Sequence, residues 1–167
     1  MSAEEFEPMI RVRLLRFPLR VFARSAEHHD DLLREFALLA ASQAGAQREV
    51  SGAPGRSADV PARLLVLVDE LTRRFAGATR GVQEERAAAL ARGETELDLE
   101  YLVPAGIAEA SRVLADMLDE ADQFCRSGDL LTLATPPETS AFRRWYLTEV
   151  QRQASGEPPT PWPGPWE

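Results

Sequence analysis

The segment Ile10-Arg11-Val12-Arg13-Leu14-Leu15-Arg16-Phe17 alternates apolar and basic side chains. A period of two predicts a strand, with Ile10, Val12 and Leu14 on one face and Arg11 and Arg13 on the other. Pro18 interrupts it. The period then lengthens: Leu32, Phe36, Leu39 and Ala40 recur at helical spacing, which predicts a helix from Ser25, its N-cap, to about Gln43. Residues 44–58 are rich in Gly, Pro and Ser and predict a loop. A second helix follows, capped by Asp59 with Pro61 in its first turn, and Leu64, Leu67, Val68, Leu71 and Phe75 trace its apolar stripe. Gly77 and Gly81 weaken its far end, and residues 83–92 either continue it or form a separate alanine-rich helix.

Residues 94–103 are the clearest strand. Thr95, Leu97, Leu99, Tyr101 and Val103 alternate with Glu94, Glu96, Asp98 and Glu100. Pro104 suits the first turn of the next helix, whose stripe is Ile107, Ala110, Leu114, Met117, Leu118, Ala121 and Phe124, with Gly128 as its stop. Thr135-Pro136-Pro137-Glu138 reads as a capping box. It opens a last helix carrying Phe142, Trp145, Tyr146 and Val150 that stops near Gly156. Residues 157–167 hold five prolines and two tryptophans, a composition for extended polyproline-like chain.

Strand, helix, helix, strand, helix, helix offers too few strands for a Rossmann-type sheet. The fold class it predicts is mainly α, a four- to five-helix bundle with a small two-stranded β-ribbon. The domain layout is a flexible acidic start at 1–8, one domain over 9–156 and a Pro/Trp-rich tail over 157–167. The two strands are expected to pair, because Arg11 and Arg13 on one answer Glu96, Asp98 and Glu100 on the other, and to run antiparallel by the general preference for that arrangement, parallel pairing being open to so long a helical connection. The same charge pattern would also permit pairing between two chains, hence a homodimer. Leu67, Leu71, Leu114, Leu118, Phe142 and Tyr146 are the predicted core.

Charge and composition narrow the function. With 19 basic and 27 acidic residues among 167, the net charge is -8, which argues against nucleic acid or an anionic membrane surface as partner. All the basic residues are Arg, so no Schiff-base or P-loop lysine exists. The absence of Lys and Asn fits a high-GC bacterial genome. One cysteine, Cys125, cannot form an internal disulfide. The acidic start predicts no secretory leader and, with the lone cysteine, a cytoplasmic protein.

The densest polar cluster is Glu27-His28-His29-Asp30-Asp31. Glu27, His28, His29 and Asp31 form the candidate polar site. Adjacent histidines on a helix point about 100° apart and do not chelate one metal, so the cluster reads first as a solvated helix start whose acids complement the dipole. A phosphotransfer histidine is disfavoured by the flanking carboxylates. Asp116, Asp119, Glu120 and Asp122 read as a solvated face, and Cys125 as a buried thiol. No catalytic residue, metal site or cofactor is assigned, and no nucleophile elbow, phosphate loop or zinc spacing occurs. Trp162, Trp166, Arg11 and Arg13 are the candidate partner-binding residues, with Trp162 favoured to pack back on the bundle.

Several stretches carry a resemblance: 28–39 (His-His-Asp-Asp-Leu-Leu-Arg-Glu-Phe-Ala-Leu-Leu), 119–125, 130–138, Phe142-Arg143-Arg144-Trp145-Tyr146 and Gly156-Glu157-Pro158-Pro159. Together they resemble an uncharacterised actinobacterial family of small helical proteins, similar to accessory members of partner-switching sets that work beside anti-sigma kinases and their antagonists. The resemblance implies a regulatory setting, in stress or sigma-factor signalling, and carries over no catalytic residue. The leading expectation is a non-enzymatic cytoplasmic protein acting on a protein partner. The alternative is a small-molecule or metal-binding bundle acting as a sensor.

Overall fold

The structure, a computed structural model, describes residues 7–46, 60–127 and 135–164. Among these, six elements follow one another: β1 Met9–Pro18, α1 Leu19–Ala46, α2 Val60–Ala91, β2 Glu96–Pro104, α3 Ile107–Arg126 and α4 Pro137–Ala154. The fold is mainly α, four helices with a two-stranded antiparallel sheet. Residues 83–92 do not form a separate helix; 83–91 continue α2, whose two internal glycines sit on its exposed side.

The strands pair as their charges predict. Ile10 lies opposite Val103, Val12 opposite Tyr101 and Leu14 opposite Leu99, with these apolar partners turned inward. On the outer face Arg13 lies opposite Glu100, and Arg11 reaches Glu100 at 3.4 Å. The register then shifts, because two residues, Leu15 and Arg16, answer the single Asp98. Arg16 takes a left-handed conformation, φ 53°, held by its N–H donating to Asp98 Oδ1 at 2.8 Å and its side chain donating to Glu96 at 3.3 Å. Strict alternation would have turned Phe17 outward. The bulge turns it in, where its ring meets Phe22, Phe142 and Tyr146.

Helix starts differ from those the caps predicted. α1 begins at Leu19, not at Ser25, because the Leu19 N–H donates to the Thr95 carbonyl at 3.0 Å and Pro18 enters with φ already suited to a helix. Ser25 and the histidine cluster therefore lie inside α1. Pro104 ends β2 opposite Met9 and does not start α3. The start of α3 is capped by Glu7, which accepts from the Gly106 N–H at 2.6 Å while pairing with Arg74 at 3.1 Å. Thr135 and Glu138 form no capping box: Glu138 pairs with Arg24, and the Thr135 hydroxyl is taken by Asp122. The proposed stops and caps at Asp59 and Gly128 lie outside the described residues.

The helices close a ring, each packed on its two neighbours in the order α1, α2, α3, α4, while β2 rests on α2 and β1 on α4. Two apolar cores form within it. One joins the ribbon, Phe17, Leu19, Val82, Phe142 and Trp162; the other gathers Leu32, Phe36, Leu64, Met117, Leu118 and Ala121 at the opposite end. Tyr146 packs against both. Leu118 and Phe142 are buried as expected, but Leu67, Leu71, Leu114 and Tyr146 are only half-buried. They border open space between and beside the cores, so their stripes face clefts rather than a filled interior.

Beyond α4, Gly156 adopts φ 87°, a turn that a side chain would strain. It redirects the chain so that residues 157–164, without regular secondary structure, return to β1, where the Trp162 N–H donates to the Leu15 carbonyl at 2.9 Å.

Candidate functional site

On α1, Phe22, Ala26 and His29 share one face, with Ser25 and Asp30 beside them. Opposite stand Leu114 and Leu118 of α3, and Phe142, Arg143, Tyr146 and Leu147 of α4. These side chains line an open cleft of about 330 Å³. Its walls are apolar, and its polar groups, Ser25, His29, Asp30 and Arg143, are few.

A buried polar network borders it. Asp122 is 3% exposed, on the inner face of α3 between Leu118 and Cys125. Arg143 Nη2 donates to Asp122 Oδ2 at 2.6 Å and to Asp119 at 3.1 Å. The Thr135 hydroxyl donates to Asp122 Oδ1. Its single proton is thereby committed, so His28 donates to Thr135 Oγ1 through Nε2–H at 3.1 Å. His29 takes no part. Burial lowers its pKa, opposed by the Asp30 charge and reinforced by His28 and Arg143, so it is a neutral imidazole at neutral pH.

The charge balance at the rim is negative. Arg143 serves two carboxylates, and Arg24 is paired with Glu138. Asp30, the one acid lining the cleft, is exposed and has no ion pair among the described residues; Glu27 is likewise exposed and unpaired there but does not line the cleft. The cleft thus offers an apolar floor and uncompensated acid at its edge. It suits apolar groups carried by something basic.

No family model, curated protein or solved structure matches this chain.

The candidate polar site does not converge. Glu27 is exposed, Asp31 pairs with Arg34 at 2.8 Å, His28 turns to Thr135 and His29 to the cleft. Among the described residues no three metal-ligating side chains lie together. Of the four candidate partner residues, Trp162 is buried against Phe142 and Trp145, and Trp166 lies outside the described residues. Arg11 is paired with Glu100, and Arg13 is exposed while its backbone exchanges two hydrogen bonds with the Gln153 amide, at 2.8 and 2.7 Å. Cys125 is buried; burial, with Asp122 and Glu35 nearby, pushes its thiol up to about 11. No helix among the described residues is long and apolar enough to cross a membrane.

Three contributors were not found from sequence. Asp122 groups by composition with its exposed neighbours Asp116, Asp119 and Glu120, although it falls four residues after Leu118 and three before Cys125, on the apolar stripe. That offset was the available signal. Arg143 adjoins Phe142 on α4, yet only the fold supplies its partners from α3. Glu149 is buried at 2% exposure, where it accepts from the Thr160 N–H at 2.9 Å, the Thr160 hydroxyl, Arg152 at 2.7 Å and Gln153 at 3.1 Å. Nothing local marks it, because its principal partner sits on the returning tail.

Proposed function

We propose that this is a non-enzymatic regulatory protein of the cytoplasm that acts by binding another protein in the cleft between α1, α3 and α4. The observation that carries this reading is the pairing of an open apolar cleft with an unpaired acid, Asp30, at its rim. A contiguous exposed apolar surface with a polar border is the ordinary form of an interaction site. Its charge selects a partner segment that presents apolar side chains flanked by Arg or Lys. The resemblance to accessory proteins of partner-switching sets supplies the setting, stress or sigma-factor signalling.

The test compares proteins retained from the native host by the wild type and by two cleft variants. Ala26→Trp fills the cleft and Asp30→Arg reverses its rim. The reading expects a partner held by the wild type at low salt, weakened as salt rises, and lost from both variants while their circular dichroism is unchanged. Retention of the same partner by all three proteins would overturn it.

A further inference from the structure

On the other side of Leu114, Tyr146 and Leu147 lies a second, larger cleft, of about 500 Å³, between α2, α3 and α4. Its volume falls within the roughly 300–1,000 Å³ of small-molecule sites. Leu71, Phe75, Ile107 and Leu114 supply its apolar wall.

Two polar features distinguish it from a packing gap. The first is Ser111, only 4% exposed, whose hydroxyl makes no hydrogen bond among the described residues. No enclosed side-chain oxygen in the described structure lacks a partner, so the Ser111 hydroxyl opens on the cleft itself. The hydroxyl is thus a free hydrogen-bonding group on the cleft wall, able to bond to water or to a bound molecule. The second is Arg80, exposed on α2 and the one charged residue among the described lining. It makes no ion pair among the described residues, although Glu84 lies one turn further along the same helix. Thr72, Thr79 and Gln83 add neutral hydrogen-bonding groups beside it.

The two clefts therefore differ in sign. The α1 side carries unpaired acid and the α2 side an unpaired arginine. We propose that the α2–α3–α4 cleft is a binding site for a monoanionic amphiphile, an unbranched or aromatic carboxylate whose apolar body lies along Leu71, Phe75 and Leu114 and whose carboxylate meets Arg80. A single guanidinium matches one negative charge, whereas a phosphate monoester, near two charges, would find no second cation in the described lining. This site goes beyond the protein-partner reading and does not depend on it.

Decanoate and 1-decanol, the same chain with and without the charge, are the probes. Both are titrated into the full chain below micelle-forming concentration and followed through the backbone amide resonances of Thr79 and Ser111. Expected is saturable binding of decanoate at one per chain, about tenfold weaker in Arg80→Gln, with 1-decanol bound equally by wild type and Arg80→Gln. Ala76→Trp, at an exposed position lining the cleft, should abolish binding of both probes while its amide spectrum stays dispersed. Absence of saturable decanoate binding, or equal weakening of both probes by Arg80→Gln, would overturn the proposal. So would undiminished binding to a folded Ala76→Trp.

Discussion

Asp122 carries a charge into a stripe that is otherwise apolar, and it is stable there because Arg143 and Thr135 occupy both of its oxygens. Removing Asp122 leaves the Thr135 hydroxyl without its acceptor and Arg143 with the exposed Asp119 alone. Asp122→Ala is expected to lower unfolding free energy by about 1–3 kcal/mol, measured by urea denaturation; a loss comparable to that of an exposed Asp119→Ala would show that Arg143 finds other solvation. Glu149 is the second such residue. Burial pushes its carboxyl up, but the bonds from Thr160 and Gln153 and the charge of Arg152 outweigh that and hold it below the usual glutamate range. A folded-state pKa below the unfolded one, about 4.3, stabilises the protein above that pH and ceases to do so as pH falls through the lowered value. The tail should accordingly detach in acid, below about pH 4, seen as a change in tryptophan fluorescence as Trp162 leaves Trp145 and Phe142. Glu149→Gln should weaken the tail contact at neutral pH and flatten that acid transition; an identical transition in the variant would place its origin elsewhere.

At the scale of elements, the ribbon shows what periodicity alone can supply. Alternation of side chains located both strands, and charge located their pairing, since each strand needed an apolar face covered and an opposite charge beside it. Neither could reveal the bulge. Phe17 lies inward because Leu15 and Arg16 together answer Asp98, a register set by the whole sheet. The helix stripes were legible in the same way, but a stripe states only that a face is apolar, not whether another face reaches it. Leu71 and Leu118 hold equivalent places on their stripes, yet Leu118 is buried in the distal core and Leu71 borders the larger cleft. Leu118→Ala should therefore cost about 2–5 kcal/mol, and Leu71→Ala distinctly less; equal losses in denaturant midpoint at unchanged slope would mean the cleft beside Leu71 is closed in solution. The ion pair of Arg11 with Glu100 is exposed on both sides. Charge reversal at Arg11 should cost less than about 1 kcal/mol, with partial recovery on adding Glu100→Arg. A double-mutant cycle without recovery would free Arg11 for another surface.

Across the whole molecule, the two apolar cores lie apart and the clefts open around the Tyr146 region that joins them. This is why the candidate site was only partly legible. His29 and Asp30 stood out as a dense polar cluster, but Phe142, Arg143 and Leu114 are more than eighty residues away in the chain and become neighbours only when the ring closes. The polar cluster was real in composition and misleading in direction, since its two histidines serve different surroundings. The net charge of -8 adds a long-range attraction for a basic partner that salt should weaken. Such a partner, as proposed, seats between α1, α3 and α4. Hydrogen–deuterium exchange of the protein alone and with its captured partner tests this most directly. We expect slowed exchange in the α1 segment around Phe22 to Asp30 and the α4 segment around Phe142 to Leu147, with the outer face of the ribbon unchanged. Protection confined to the ribbon, or to the exposed groove of α2 and α3 around Val66 and Met117, would contradict it.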